Sequence, residues 1–246
     1  MAPTNRKPNY GIDAPKVVLR FFLIGIGGLL FASCAWLTSH NGWLPGTRSL
    51  VRPLLTMGLA FLVQGAVMVW GSKVAKLRLR DKVLNAIPWR GDEWVLDVGC
   101  GHGLMLIGAA KRLRRGSAIG IDLWQQEDQA GNSPEATWRN VEAEDVTDRV
   151  ELRNGDAREL PFADNTFDVV LSSWALHNIY DRAERATALR EIVRVLKPGG
   201  RLAIIDIRHT GEYAQILQEH KMLNLIRSRP NFLFVIPTFT LTATKP

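Results

Sequence analysis

The chain has 246 residues, room for one α/β domain with something added, and its formal charge of +7 is unevenly placed. Residues 1–90 hold 12 Lys and Arg against 2 Asp and Glu, whereas residues 91–246 hold 19 against 22. A nucleic-acid enzyme carries its basic patch on the working domain, so nucleic acid is not an expected partner; the two isolated cysteines, Cys34 and Cys100, suggest neither a disulfide framework nor a metal site.

Residues 1–16 read as a polar N-terminal tail. Phe21 to Ser39 and Pro53 to Ser72 then contain no charged residue, each about the ~20 residues that cross a bilayer core as a helix. Neither shows a polar stripe, as expected of helices in contact with lipid on most sides. Between them lies SHNGWLPGTRSL, a turn rich in Gly, Pro and Asn. The expectation is a two-helix transmembrane hairpin over 17–71, with spans at about 17–38 and 51–71. Arg6, Lys7, Lys16 and Arg20 precede the first span, and Lys73, Lys76, Arg78, Arg80 and Lys82 follow the second. By the positive-inside rule both termini face the cytoplasm. Gly28 and Ala32, with Gly58 and Gly65 in the second span, would permit close helix contact. A secretory signal is disfavoured by the second span and the lack of an A-x-A cleavage site.

Residues 72–90 place Val74, Leu77, Val83, Leu84 and Ile87 among five basic residues, an amphipathic juxtamembrane helix. Its Lys and Arg would face either anionic headgroups or plain solvent.

From residue 91 the pattern changes. Trp94 to Val98 is a buried parallel strand ending at Gly99, Gly101 and Gly103, and a helix carrying Leu104, Ile107, Ala110 and Leu113 follows. Glycines there admit positive φ and close approach of a ligand to the main chain. Asp97, just before the turn, can accept from a cationic ligand group, so this is a nucleotide-type site. Leu104 stands where a dinucleotide fingerprint needs its third glycine, which disfavours a nicotinamide cofactor.

Ser117 to Asp122 is a second strand, and its terminal carboxylate is placed to accept both hydroxyls of a ribose. Ser133-Pro134 caps a helix to about Glu144. Val150 to Asn154 is strand three, followed by Gly155-Asp156-Ala157. Phe167 to Ser172 is strand four, whose end puts Ser172, Ser173, Trp174, His177 and Asn178 near the ligand crevice. Asp181 caps a helix through Leu196, Lys197-Pro198-Gly199-Gly200 ends it, and strand five follows over Arg201 to Ile207. A helix over 212–222 and a hairpin of strands 223–229 and 232–243 close the sheet.

Three stretches carry a family resemblance: D-V-G-C-G-H-G (97–103), LPFADNTFD (160–168) and REIVRVLKPGGRL (190–202). They resemble the class I S-adenosylmethionine-dependent methyltransferases, in the branch of ubiquinone/menaquinone and small-molecule enzymes, over roughly residues 92–246. The resemblance implies a Rossmann-like seven-stranded sheet, parallel with a C-terminal antiparallel hairpin, in a domain over 91–246. It implies S-adenosyl-L-methionine as cofactor, held by Asp97, Gly99, Cys100, Gly101, Gly103, Asp122, Leu123, Trp124, Asp156, Ala157, Ser172 and Ser173. Within that set Asp122 takes the ribose, Asp156 the adenine amino group, and Leu123 or Trp124 packs on adenine, a core role for Leu123 remaining open. No metal is needed. His177 is the candidate base because its ordinary pKa lies near neutrality, and a structural role for it stays open; His209 is the second choice.

A domain of this kind beside a bilayer is expected to meet a membrane-associated acceptor: a quinol, a phospholipid amine or an isoprenoid. The chain is thus expected to be an integral membrane protein with its catalytic domain cytoplasmic. An inactive donor-binding scaffold and an enzyme of soluble small molecules are the alternatives.

Overall fold

The computed structural model describes residues 7–125, 131–232 and 236–246. Arg6 of the expected tail, most of the loop expected after Trp124, and residues 233–235 of the last expected strand lie outside the described residues. The chain divides into two compact units, Ile12–Val74 and Met1–Gly11 with Ala75–Pro246.

The first unit is a helical hairpin, α1 (Pro15–His40) and α2 (Arg48–Trp70). Both helices are long and apolar enough to cross a membrane. Glycines set their packing. A Cβ on Gly28 would lie 3.0 Å from the Gly58 Cα, and one on Gly58 would lie 3.0 Å from the Gly25 carbonyl oxygen. The backbones therefore touch, with the buried Ala32 and Ala35 continuing the seam on α1. Phe21 and Phe61 meet edge to face with centroids 5.5 Å apart. The turn is fastened by Thr47, whose hydroxyl donates to the Ala35 carbonyl at 3.0 Å. Large apolar side chains turn outward, among them Leu23, Leu30, Phe31 and Val63. In this unit the small residues are inside and the large ones outside, the reverse of a water-soluble helix pair.

The second unit is built on a seven-stranded sheet of order β3-β2-β1-β4-β5-β7-β6. Its strands are β1 (Trp94–Val98), β2 (Ser117–Asp122), β3 (Val150–Asn154), β4 (Phe167–Ser173), β5 (Leu196–Asp206), β6 (Leu223–Arg227) and β7 (Phe239–Thr244). The first five run parallel, and β7 pairs antiparallel with both β5 and β6. The helices are α3 (Lys76–Asn85), α4 (Leu104–Ala110), α5 (Pro134–Ala143), α6 (Arg182–Val195) and α7 (Thr210–Glu219). Strand order reverses between β1 and β4, the switch point at which such sheets open a crevice beyond their carboxyl ends.

Both sheet faces are covered, so the central strands are apolar on successive residues. Val95, Val169 and Ala203 join one core with Leu84, Met105, Leu106 and Ile107; Leu96, Val170 and Leu202 join the other with Leu189, Ile192, Tyr213 and Leu217.

Three stretches differ from the sequence reading. Residues 72–90 do not form one surface helix: a π turn over Gly71–Ala75 leads into α3, and Leu79, Val83 and Leu84 are buried in the first core. Lys76 is buried too, and its ammonium donates to the carbonyls of Tyr10 and Gly11 at 2.7 and 3.1 Å. The periodicity was that of a helix packed on a sheet, with a lysine stem inside. Secondly, residues 9–11 of the expected tail pack on the globular unit. Tyr10 is buried, and its hydroxyl donates to Glu144 at 3.0 Å; burial first, then the Glu144 charge, pushes its pKa well up. Thirdly, Leu196–Gly200 belongs to β5 rather than to the end of the preceding helix. Leu196 pairs with Phe167, while the Gly199 N–H reaches the Lys245 carbonyl and the Lys245 N–H reaches that of Gly200, each at 2.9 Å.

Candidate functional site

The loop after β1 owes its shape to positive φ at Gly99 (71°), Gly101 (49°) and Gly103 (81°). Gly99 is the tightest, since a Cβ there would fall 2.2 Å from the Ala175 methyl in the segment after β4. The N–H groups of Gly99 and Cys100 both donate to the Ile121 carbonyl, at 2.8 and 3.2 Å, tying the loop to β2. Cys100 contributes its backbone: its side chain is buried against Gly120, and burial raises the thiol pKa.

Helix α5 holds the other side of the loop. Thr137 donates its hydroxyl to the Gly101 carbonyl at 2.5 Å, and the Asn140 amide donates to the His102 carbonyl at 2.9 Å. The same Asn140 amide donates to the Asn9 carbonyl at 3.0 Å, while its oxygen accepts from the Asn9 N–H at 2.8 Å. One buried side chain thus joins the glycine loop to the N-terminal strap. Sequence reading missed both residues, although two polar side chains three apart on one buried helix face are a usable signal.

Asp97 sits beneath the loop, 1 % exposed. One carboxylate oxygen accepts from the Leu106 N–H at 2.8 Å; the other is buried without a hydrogen-bond partner among the described residues. Burial is the main reason its pKa rises to about 7, with the Asp122 charge adding and the Leu106 N–H opposing. Asp122, at the end of β2, accepts from the Gly101 N–H at 2.8 Å, the Trp124 N–H at 2.7 Å and the Asn132 amide at 3.1 Å. The Trp124 indole N–H and the Asn132 side-chain oxygen are likewise buried without partners among the described residues. Trp124 is in the left-handed region (φ 57°) and packs partly on the first core; Leu123 is half exposed.

Register brings the remaining candidates alongside. Val98 lies opposite both Ile121 and Ser172, so the ends of β1, β2 and β4 are level. Ser172 faces into the sheet, its buried hydroxyl donating to the Val98 carbonyl at 2.9 Å. The Ser173 hydroxyl is buried without a partner among the described residues. Asp156 follows β3, and Arg158 clamps it: its backbone N–H donates at 2.9 Å and its guanidinium reaches both carboxylate oxygens. That guanidinium holds the Asp156 pKa below the usual carboxylate range. Ala157 packs on the second core.

His177 is held from behind. Its backbone N–H donates to Asp206 at 3.1 Å, and its ring Nδ1 lies 2.6 Å from the other Asp206 oxygen, off the line of a good hydrogen bond. Asp206, fully buried at the end of β5, also accepts from the Ile207 N–H at 2.7 Å and the Tyr213 hydroxyl at 3.3 Å. Burial, then the Asp206 charge, drives the Tyr213 pKa well up. Asp206 was missed from sequence, yet it ends a buried strand as Asp122 does, and Asp97 lies one residue before the end of another. The His209 ring lies 3.8 Å from Glu212 at the start of α7 and 6.5 Å, centroid to centroid, from Tyr213. Among the described residues no cluster of His, Cys, Asp and Glu could hold a metal ion.

Residues 96–204 match the family model described as "Methyltransferase domain". A demethylmenaquinone methyltransferase of Lactiplantibacillus plantarum is 39 % identical over 128 residues, 52 % of this chain and 50 % of that one. A 27-O-demethylrifamycin SV methyltransferase of Amycolatopsis mediterranei is 37 % identical over 132 residues, 54 % of this chain and 45 % of that one. The chain therefore spans about half the length of the curated relatives it matches. Among solved structures, the [4+2]-cyclase SpnF has a TM-score of 0.59 at 22 % identity, covering 71 % of this chain and 82 % of that one. At that identity the likeness concerns the fold alone.

Proposed function

We propose that this chain, whose residues 96–204 match a methyltransferase-domain family model, is an S-adenosylmethionine-dependent enzyme that methylates an apolar or lipidic acceptor while α1 and α2 anchor it in a bilayer. The acceptor class is a quinol, a phospholipid amine or an isoprenoid, in line with the relative named for demethylmenaquinone. Flanking charge supports a cytoplasmic placement of both termini and the domain.

The observation that carries the chemical reading is the unpartnered Asp97 oxygen under the glycine loop. Leaving a buried carboxylate oxygen unpaired costs about 1–3 kcal/mol or more, a cost a cationic ligand group removes. Trp124, Asn132 and Ser173 add three more polar atoms without partners among the described residues around the same strand ends. This set fits S-adenosylmethionine, which combines an ammonium, a carboxylate, a ribose and an adenine. When bound, the cofactor supplies a methyl group on a sulfonium, already provided with a good leaving group.

What remains for the protein is positioning, exclusion of water and care of a proton. Asp97 would hold the ammonium and Asp122 the ribose hydroxyls, its carboxylate already oriented by the loop N–H of Gly101. Asp156 would have to share its oxygens between adenine and Arg158. His177 would hold the acceptor's proton: Asp206 beside Nδ1 favours the tautomer with its proton there, leaving Nε2 as the free base.

The bilayer reading draws on the outward-facing leucines and phenylalanines of α1 and α2 and their glycine seam. It is tested by incubating the full chain in lipid nanodiscs with cellular lipid extract and methyl-labelled donor, then separating the products by mass. The expected result is label in an apolar product. Label only in water-soluble products, at a rate unchanged when residues 13–73 are replaced by a short linker, refutes it. Binding of S-adenosylhomocysteine with no labelled product under any acceptor would instead select donor binding without methyl transfer.

A further inference from the structure

Asp122 has less capacity for a ribose than a bare carboxylate. An ionised carboxyl group offers about four lone pairs, two on each oxygen. Oδ1 of Asp122 already accepts twice, from the Trp124 N–H at 2.7 Å and the Asn132 amide at 3.1 Å, and Oδ2 accepts from the Gly101 N–H at 2.8 Å. Among the described residues this leaves a single lone pair open, on Oδ2. It can take one hydroxyl of a vicinal pair. A second hydroxyl on Asp122 would have to displace a donor that shapes the glycine loop or the turn after β2.

Asn132 supplies an acceptor where the carboxylate runs out of them. Only an amide nitrogen can face a carboxylate oxygen, so the contact with Asp122 fixes which end of the Asn132 side chain is which. The oxygen at the other end is buried without a hydrogen-bond partner among the described residues, and Asn132 as a whole is 4 % exposed. A buried amide oxygen left unpaired is costly, and in a native fold it marks a place for a water or a ligand. The residue is also well fixed. It directly precedes Ser133, whose hydroxyl caps α5 by accepting from the Ala136 N–H at 3.1 Å. Helix α5 is in turn bonded to the glycine loop through Thr137 and Asn140, so Asn132 shares a framework with the Gly101 N–H that orients Asp122.

We propose that Asn132 is a ribose-binding residue: its Oδ1 accepts from one hydroxyl of the vicinal pair, and the open lone pair on Asp122 Oδ2 accepts from the other. The proposal rests on the reading of the donor as S-adenosylmethionine and narrows the part given there to Asp122. It makes the site selective for a ribonucleoside at both positions, since a ligand lacking either hydroxyl leaves one acceptor unpaired.

The test is calorimetry on the full chain in lipid nanodiscs, with S-adenosylhomocysteine and its 2′-deoxy and 3′-deoxy forms as ligands. Wild type is compared with Asn132→Ala and with Asn132→Leu, in which the side-chain volume is kept and no water can replace the amide. Wild type should bind each deoxy form roughly tenfold more weakly, the effect of one buried acceptor left unpaired. Both variants should bind S-adenosylhomocysteine itself roughly tenfold more weakly than wild type does. In each variant one deoxy form should then match S-adenosylhomocysteine to within about twofold, while the other still shows its separate loss. A residue that merely steadies Asp122 or the loop does not produce that crossed pattern. Equal losses for all three ligands, complete loss included, overturn the proposal and make Asn132 a prop for Asp122. So does an unchanged affinity in the variants, or a wild type indifferent to one of the hydroxyls. A wild-type chain that binds none of the three defeats the donor reading, and the proposal with it.

Discussion

Replacing Asp97 by Asn should make the ligand-free protein more stable and the site unable to bind. Burial moves this carboxyl from 3.8 to about 7, and at 1.36 kcal/mol per decade of proton affinity its ionisation in the folded state costs at most about 4 kcal/mol. Asparagine removes that cost and still accepts from Leu106, but it brings N–H donors whose unpaired burial costs about 1–3 kcal/mol. The net gain is about 1–3 kcal/mol, which for a domain of this size is roughly 3–10 °C in Tm. The effect has a definite pH dependence. The folded protein keeps this proton up to about pH 7 and the unfolded chain only to about 4, so this group adds stability to the wild type as pH falls through that window. The advantage of Asp97→Asn should therefore be full at pH 8 and shrink toward pH 5. Differential scanning fluorimetry at the two pH values, with and without S-adenosylhomocysteine, reads all of this. The ligand should raise the wild-type Tm and leave the variant unmoved. A variant less stable than wild type at pH 8, or a gap equal at both pH values, refutes the account of Asp97 as a buried charge awaiting a cation.

Gly99→Ala should abolish S-adenosylhomocysteine binding by calorimetry and cost about 2 kcal/mol or more in stability, since the new methyl meets Ala175 at 2.2 Å with φ at 71°. His177→Ala should lower the methyl-transfer rate at saturating donor while leaving S-adenosylhomocysteine affinity unchanged, and Asp206→Asn should act in the same sense; an unaltered rate in both would exclude the pair from proton transfer. Gly58→Leu should disrupt the α1–α2 seam, lowering the Tm in detergent without altering donor affinity, because the substituted Cβ would press on Gly25 at 3.0 Å.

Much of this molecule was legible in the sequence because local pattern and tertiary demand agree. The glycines after β1 admit few other readings, and the buried central strands announce themselves by continuous apolar runs. What escaped was decided at long range. Lys197 to Gly200 carries turn residues, yet it continues a strand from Leu196, which pairs with Phe167, and its glycines bond to Lys245, partners distant in sequence. Lys76 reads as a surface charge until the Tyr10 and Gly11 carbonyls are placed at its tip. Asp206 became part of the site only when its neighbours, His177 and Tyr213, were known. The N-terminal strap has no periodicity at all, and only the burial of Tyr10 and the bonds of Asn9 to Asn140 reveal it.

That strap imposes an order of events on synthesis. Asn9 is joined to a side chain 131 residues later, so it emerges from the ribosome long before its partner exists. The two apolar helices are made in the interval, before the globular unit can draw its own first residues into place. Completion of the glycine loop's support therefore waits for residue 140, which makes the finished loop a late product of assembly.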